Sequence, residues 1–177
     1  MSGPPRTRPI NQADNALPVL SVKITVHTLG YFFQSDKRSS NHASIYLVTP
    51  GNVSVQLNMT KAGPTDNMGT LLLQFCPYTD STSSVRDFYL NARQGLNVGQ
   101  VIALLRAKRR DKYALARSGV GCRYWVSQII HDLEDNGFIS PTGTSNAALA
   151  TEFLQFNYTR EKSPVYEPME PGRFLYA

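Results

Sequence analysis

The sequence predicts an α+β fold, an antiparallel sheet with helices packed against it, in the order of strands first and helices second. Two patterns carry that prediction. The first half holds short apolar runs, alternating or continuous, separated by turn residues, which is the signature of strands. The second half holds two runs whose apolar residues recur every three to four positions, the signature of amphipathic helices. The length of 177 residues allows one core large enough to need no staples, since a chain of this size buries roughly 70% of its unfolded surface.

The elements follow in chain order. "MSGPPRTRPINQADNA" (1–16) is rich in proline and polar residues and reads as a disordered leader. A single domain is expected over 17–162. In "LPVLSVKITVHTLGY" Val22, Ile24 and Val26 alternate with Ser21, Lys23, Thr25 and His27, giving a half-buried strand with His27 on its polar, solvated face. "NHASIYLVT" (41–49) and "NVSVQLNM" (52–59) flank Pro50-Gly51 and form a hairpin. A loop is expected over 60–69. "TLLLQFCPY" (70–78) is nearly continuous in apolar residues and reads as a central strand, with Cys76 packed inside it. "FYLNA" (88–92) adds an edge strand. Asn97 caps a helix that presents Val98, Val101, Ile102 and Leu105 on one face. Cys122, Trp125, Val126, Ile129, Ile130 and Leu133 form the stripe of a second helix, which stops at Asn136-Gly137. "SNAALATEFLQF" (145–156) supplies a shorter third helix, and the tail 163–177 lies along the surface.

Composition narrows the function. The net charge of +5 is modest. Its one cluster, "RAKRRDKY" (106–113), is read as a solvated helix end whose cations complement the macrodipole, so nucleic acid is not an expected partner. "HDLED" (131–135) is likewise read as a solvated face. Two cysteines make no disulfide framework, and no apolar run reaches the roughly 20 residues of a membrane span. A cytoplasmic location with reduced thiols is expected. No phosphate loop, paired Cys-x-x-Cys or His-Glu metal spacing is present, so neither cofactor nor metal is implied.

What remains is Cys122. It follows Gly119 and Gly121 and opens a helix, where unpaired N–H groups and the positive dipole end favour thiolate over thiol. The two glycines let a substrate carbonyl approach the backbone, and the Cys122 N–H would then face a developing oxyanion. The alternative is that Cys122 is a small hydrophobe at the head of the stripe. A nucleophile needs a base, and there are three histidines. His131 lies nine residues along the same helix, on the opposite side, and His27 lies on an outer face. His42, at a strand start, is the candidate. Its orienting partner would be Asn58 or Gln56, provided the hairpin turn has three residues. A two-residue turn would put Val53, Val55, Leu57 and Met59 there instead. Tyr124, off the apolar stripe, is placed in the cleft.

"HASIYLV", followed about eighty residues later by "RDKYALARSGVGCRYWV", resembles the permuted papain-like hydrolases and acyltransferases. These include the NlpC, lecithin:retinol acyltransferase-like and desumoylating-peptidase families. Tyr113, Leu115, Cys122, Trp125 and Val126 match their cysteine segment in order, and His42 with Ile45-Tyr46 matches their histidine strand. The chain also resembles uncharacterised fungal proteins with a "GCRYW"-like motif. The enzyme resemblance implies a thiol hydrolase or acyltransferase acting on a small-molecule or peptide acyl substrate. Gly121 stands where those enzymes usually carry Asn, and Ala43-Ser44 where Trp-Gly is common. A non-catalytic binding domain on the same fold is the alternative, and nothing in the sequence indicates an oligomeric state.

Overall fold

The alternation of the first half becomes a sheet with two buried faces of opposite character. The computed structural model of the chain describes residues 6–28, 41–63, 66–116, 121–140 and 145–176. Its elements are β1 (Arg8–Pro9), a 3-10 helix (Gln12–Ala16), β2 (Ser21–Thr28), β3 (Asn41–Thr49), β4 (Val53–Gly63), β5 (Asp66–Cys76) and β6 (Ser84–Asn91). Then come α1 (Val98–Ala107), β7 (Tyr113–Ala114), α2 (Cys122–Asp135), α3 (Asn146–Phe153), β8 (Phe156–Asn157), β9 (Val165–Tyr166) and β10 (Arg173–Phe174). The main sheet runs β10-β7-β5-β4-β3-β2-β6, with β1 added to β5, and its pairs are antiparallel. The fold is α+β, and no helix of the described residues is long and apolar enough to cross a membrane.

On one face Val22, Ile24, Val26, Ala43, Ile45, Leu47, Val55, Leu57 and Met59 are buried against both long helices. Val101 and Leu105 come from α1, and Trp125, Ile129 and Leu133 from α2. Each such side chain contributes about 1.5–3 kcal/mol on burial. Asn97 and Gln100 close a reciprocal capping box at 2.8 and 3.0 Å, which fixes the start of α1. Gly137, at φ +70°, ends α2 as the glycine stop signal implies.

The other face is polar yet also buried. Lys23, Thr25, His27, Ser44, Tyr46, Ser54 and Gln56 are covered there by the segment that follows β5. Lys23 Nζ donates to the Thr79 carbonyl and pairs with Asp80, Ser54 Oγ donates to Tyr78 O at 2.7 Å, and His27 Nδ1 meets Ser83 Oγ at 2.7 Å. Buried polar groups need such partners, because each one left unmade costs about 1–3 kcal/mol.

Several expectations change. Residues 6–16 are not a disordered leader: β1 pairs with β5, and the 3-10 helix is closed by an Asn11–Asp14 capping box and an Arg8–Asp14 ion pair. The loop expected over 60–69 is largely strand, since β4 runs on to Gly63 and β5 begins at Asp66. Asp132 is buried rather than solvated, because Arg110 grips it through Nε at 2.6 Å and Nη2 at 3.0 Å and Lys108 adds a third contact at 3.1 Å. Part of the basic cluster is therefore committed to structure. The tail joins the sheet through β10, which pairs with β7.

Candidate active site around Cys122 and His42

The turn between β3 and β4 decides which side chains face His42. Thr49 pairs with Val53, so the turn is the three residues Pro50, Gly51 and Asn52, with Gly51 at φ +85° and Asn52 at φ +57°. Tyr46 then stands opposite Gln56. Gln56 and Asn58 consequently share the face of His42. The β3–β4 ladder stops at Ile45–Leu57, while β4 continues along β5. The first four residues of β3 therefore part from β4, and the site occupies the parting.

There the His42 ring lies between two partners. Its Nε2 meets Asn58 Oδ1 at 2.5 Å. An amide oxygen can only accept, so Nε2 carries the proton and Nδ1 is the nitrogen left for the thiol. The Cys122 thiol lies near enough to the ring for each to shift the pKa of the other, through hydrogen bonding and charge. Burial is the largest single influence on Cys122 and pushes its pKa up. The hydrogen bond to His42, its charge, the Ala43 backbone N–H and the Arg123 charge together outweigh it, and the net shift is downward. For His42 burial again comes first and lowers the pKa, but the bonds and charge of Cys122 and Asn58 carry it above the ordinary value. Opposite shifts in two touching groups describe a pair that favours thiolate and imidazolium.

Gly121 shapes the approach to Cys122. It precedes α2 at φ +129° and makes no side-chain cap bond to the helix start. Its carbonyl accepts from Tyr113 Oη at 2.8 Å and from the Trp125 N–H at 3.0 Å. Tyr113 Oη in turn accepts the Gly172 N–H at 2.9 Å, which ties the tail to the start of α2. Trp125 is fully buried, and its Nε1 donates to Arg110 O at 2.8 Å.

A family model described as a domain of unknown function, DUF7770, matches residues 22–175. The chain belongs to the DUF7770 family. No curated protein and no solved structure matches it. The match to DUF7770 takes in the strand of His42, the helix of Cys122 and the tail through β10.

Within this DUF7770 chain the other candidates fall as follows. Gln56 shares the face but does not orient His42; its Nε2 donates to Ser44 Oγ at 3.1 Å. Tyr124 is half-buried and packs against the core. Gly119 lies outside the described residues. His131 is half-buried, 3.3 Å from Thr151 Oγ1, and is not brought to Cys122. Among the described residues no group of three or more His, Cys, Asp or Glu could hold a metal ion.

His27 is the largest correction at the site. It is 5% exposed rather than solvated, and its ring stacks on His42 with centroids 6.1 Å apart. Both nitrogens are bonded, to Ser83 and Ser44. Burial first, then the neighbouring His42 and Lys23 charges, lower its pKa to about 4 against the opposing pull of Asp87. A neutral imidazole thus backs the His42 ring. The period-2 alternation that put Ser44 and Gln56 on the His42 face was the available signal for this layer.

Proposed function

We propose that this DUF7770 protein is a cysteine-dependent hydrolase or acyltransferase of permuted papain-like organisation, acting on an amide, ester or thioester. The observation that supports this best is the position of the His42 ring, held at Nε2 by Asn58 and near enough to Cys122 for each to shift the pKa of the other. Thiol, imidazole and an orienting amide are the three parts that nucleophilic thiol catalysis requires.

The steps follow from the protonation states. The Cys122 thiolate attacks the acyl carbon, the C–S bond forms, and the carbonyl electron pair moves to oxygen, which faces the Cys122 N–H. Collapse breaks the bond to the leaving group, which takes the proton from His42 Nδ1. His42, now neutral, removes a proton from water or an acceptor amine. That nucleophile attacks the thioester, and the Cys122 thiolate departs. Asn58 keeps Nε2–H pointed away throughout, so the same nitrogen serves as base and acid.

One observation favours a second reading. Cys122 is only 9% exposed, as a packing residue in a non-catalytic binding domain would be. Mass-spectrometric rates of alkylation at Cys122 across pH decide between them. A catalytic pair reacts below the pH at which an ordinary cysteine ionises, and His42→Ala moves the curve to higher pH. Coincident curves for the wild type and His42→Ala would leave only the binding reading.

A further inference from the structure

Both members of the pair have a neighbour in sequence that reaches the same distant stretch of chain. Asn41 precedes His42. Its Nδ2 donates to Tyr158 O at 2.9 Å, and its Oδ1 accepts the Tyr158 N–H at 2.6 Å. This double bond pattern copies what a neighbouring strand would provide. It falls on the part of β3 that has already lost its ladder to β4. Arg123 follows Cys122. Its Nη1 donates to Leu154 O at 3.0 Å, Phe156 O at 3.2 Å and Glu167 O at 3.2 Å, and its Nη2 pairs with Glu167 Oε1 at 2.9 Å.

We propose that residues 154–167 are a brace that sets the separation of Cys122 and His42, with Asn41 and Arg123 as its positioning residues. The proposal rests on the reading of Cys122 and His42 as a working pair. The stretch is itself held at several points. Glu167 N donates to Gln155 O at 2.7 Å, β8 pairs with β9, and Arg160 donates to Thr82 O at 2.7 Å. Tyr158 adds a bond from its hydroxyl to Phe153 O at 2.7 Å and a ring stack on Phe153 at 5.0 Å. A guanidinium with an 11% exposed side chain and four acceptors is a rigid fork, since each donor it loses leaves a part-buried acceptor short. Neither Asn41 nor Arg123 needs to touch a substrate for this. They act by fixing where β3 begins relative to where α2 begins, and a thiolate–imidazolium pair is sensitive to that distance because its attraction grows steeply at short range.

The test uses the full chain and the pH dependence of Cys122 alkylation, mapped by peptide mass so that Cys76 is read separately. Arg123→Lys keeps the positive charge beside Cys122 but loses the fork, and Asn41→Ala removes both bonds to Tyr158. The expected result is that each variant moves the curve to higher pH and slows the reaction at neutral pH by roughly twofold to thirtyfold, the range supporting residues exert on a coupling they do not themselves make. Because both act through one stretch, the double variant should fall short of the product of the single effects. Circular dichroism reports whether each variant is folded. If Asn41→Ala does not fold, Arg123→Lys alone decides, and an unmoved curve in a folded Arg123→Lys overturns the brace. Full multiplicativity in the double variant overturns it as well. Coincident wild-type and His42→Ala curves would instead show that the pair itself is absent, and both readings fall.

Discussion

Gly172→Ala tests the packing behind Cys122. A Cβ at Gly172 would come closer than 3.0 Å to three atoms, the Ala114 carbonyl oxygen and Cζ and Oη of Tyr113, an approach real Cβ atoms essentially never make. Two of the three are a ring that is fully buried, and the third is backbone, so none can swing away. Overpacking of this kind costs about 1–3 kcal/mol. Displacing the ring also strains the Tyr113–Gly121 and Gly172–Tyr113 bonds, and a buried partner left unsatisfied adds about 1–3 kcal/mol. The variant should thus lose about 2–6 kcal/mol in urea unfolding, or roughly 4–24 °C in Tm at about 2–4 °C per kcal/mol for this chain length. Tyr113→Phe separates the two parts. It removes Oη, one of the three clashing atoms, and leaves the Gly172 N–H without that acceptor, while Gly121 O keeps the Trp125 N–H. In the double variant the losses should be subadditive by at least about 0.5 kcal/mol, the size expected of touching residues. Gly172→Ala within about 0.5 kcal/mol of the wild type, which is the ordinary surface range, would refute the reasoning, as would strict additivity.

Three further outcomes follow from the structure. The folded pKa of His27, about 4, lies below its ordinary 6.5, so the unfolded chain binds the proton first; stability should fall by about 3 kcal/mol as pH drops from 6.5 to 4. His27→Gln should flatten that slope in urea titrations, and an unchanged slope would show that His27 is not held neutral. Asn58→Ala removes the acceptor that helps hold the His42 proton, so Cys122 alkylation should move to higher pH, less far than in His42→Ala. Asp132→Ala leaves Arg110 without the bidentate partner it holds against the ring of Phe174. It should cost about 3–5 kcal/mol by the measure of a broken buried pair, and a loss under about 1 kcal/mol would mark the pair as an exposed one.

Much of the fold was legible in the sequence because its signals are local. Asn97 with Gln100 and Gly137 mark helix ends through bonds within one turn, and the stripe from Cys122 to Leu133 states its own period. Helix starts and strand starts constrain which side chains can meet, which is why the sequence points to His42 as the partner proposed for Cys122. The choice between Gln56 and Asn58 was not legible, since it depends on one residue more or less in a turn. His27 and Asp132 were misread for a single reason. Polar residues on an alternating strand or a helix imply solvent only if nothing covers them. The covering groups, the segment around Ser83 and the Arg110 guanidinium, come from far along the chain. The ordered stretch 6–16 was missed because its stabilising bonds reach β5, which its own composition does not reveal.

The three-residue turn at Pro50-Gly51-Asn52 acts as a parity bit for the whole site. A strand has only two sides, so an odd or even count of turn residues is one binary choice, copied without loss to every position of β4. In the present state Asn58 faces His42 while Leu57 and Met59 enter the core. Removing any single turn residue inverts all of these at once, turning the core residues outward and the amides inward. Length changes of two in this turn therefore leave the facing of Asn58 and Leu57 as it is, while odd length changes are barred by the core before they ever reach the site.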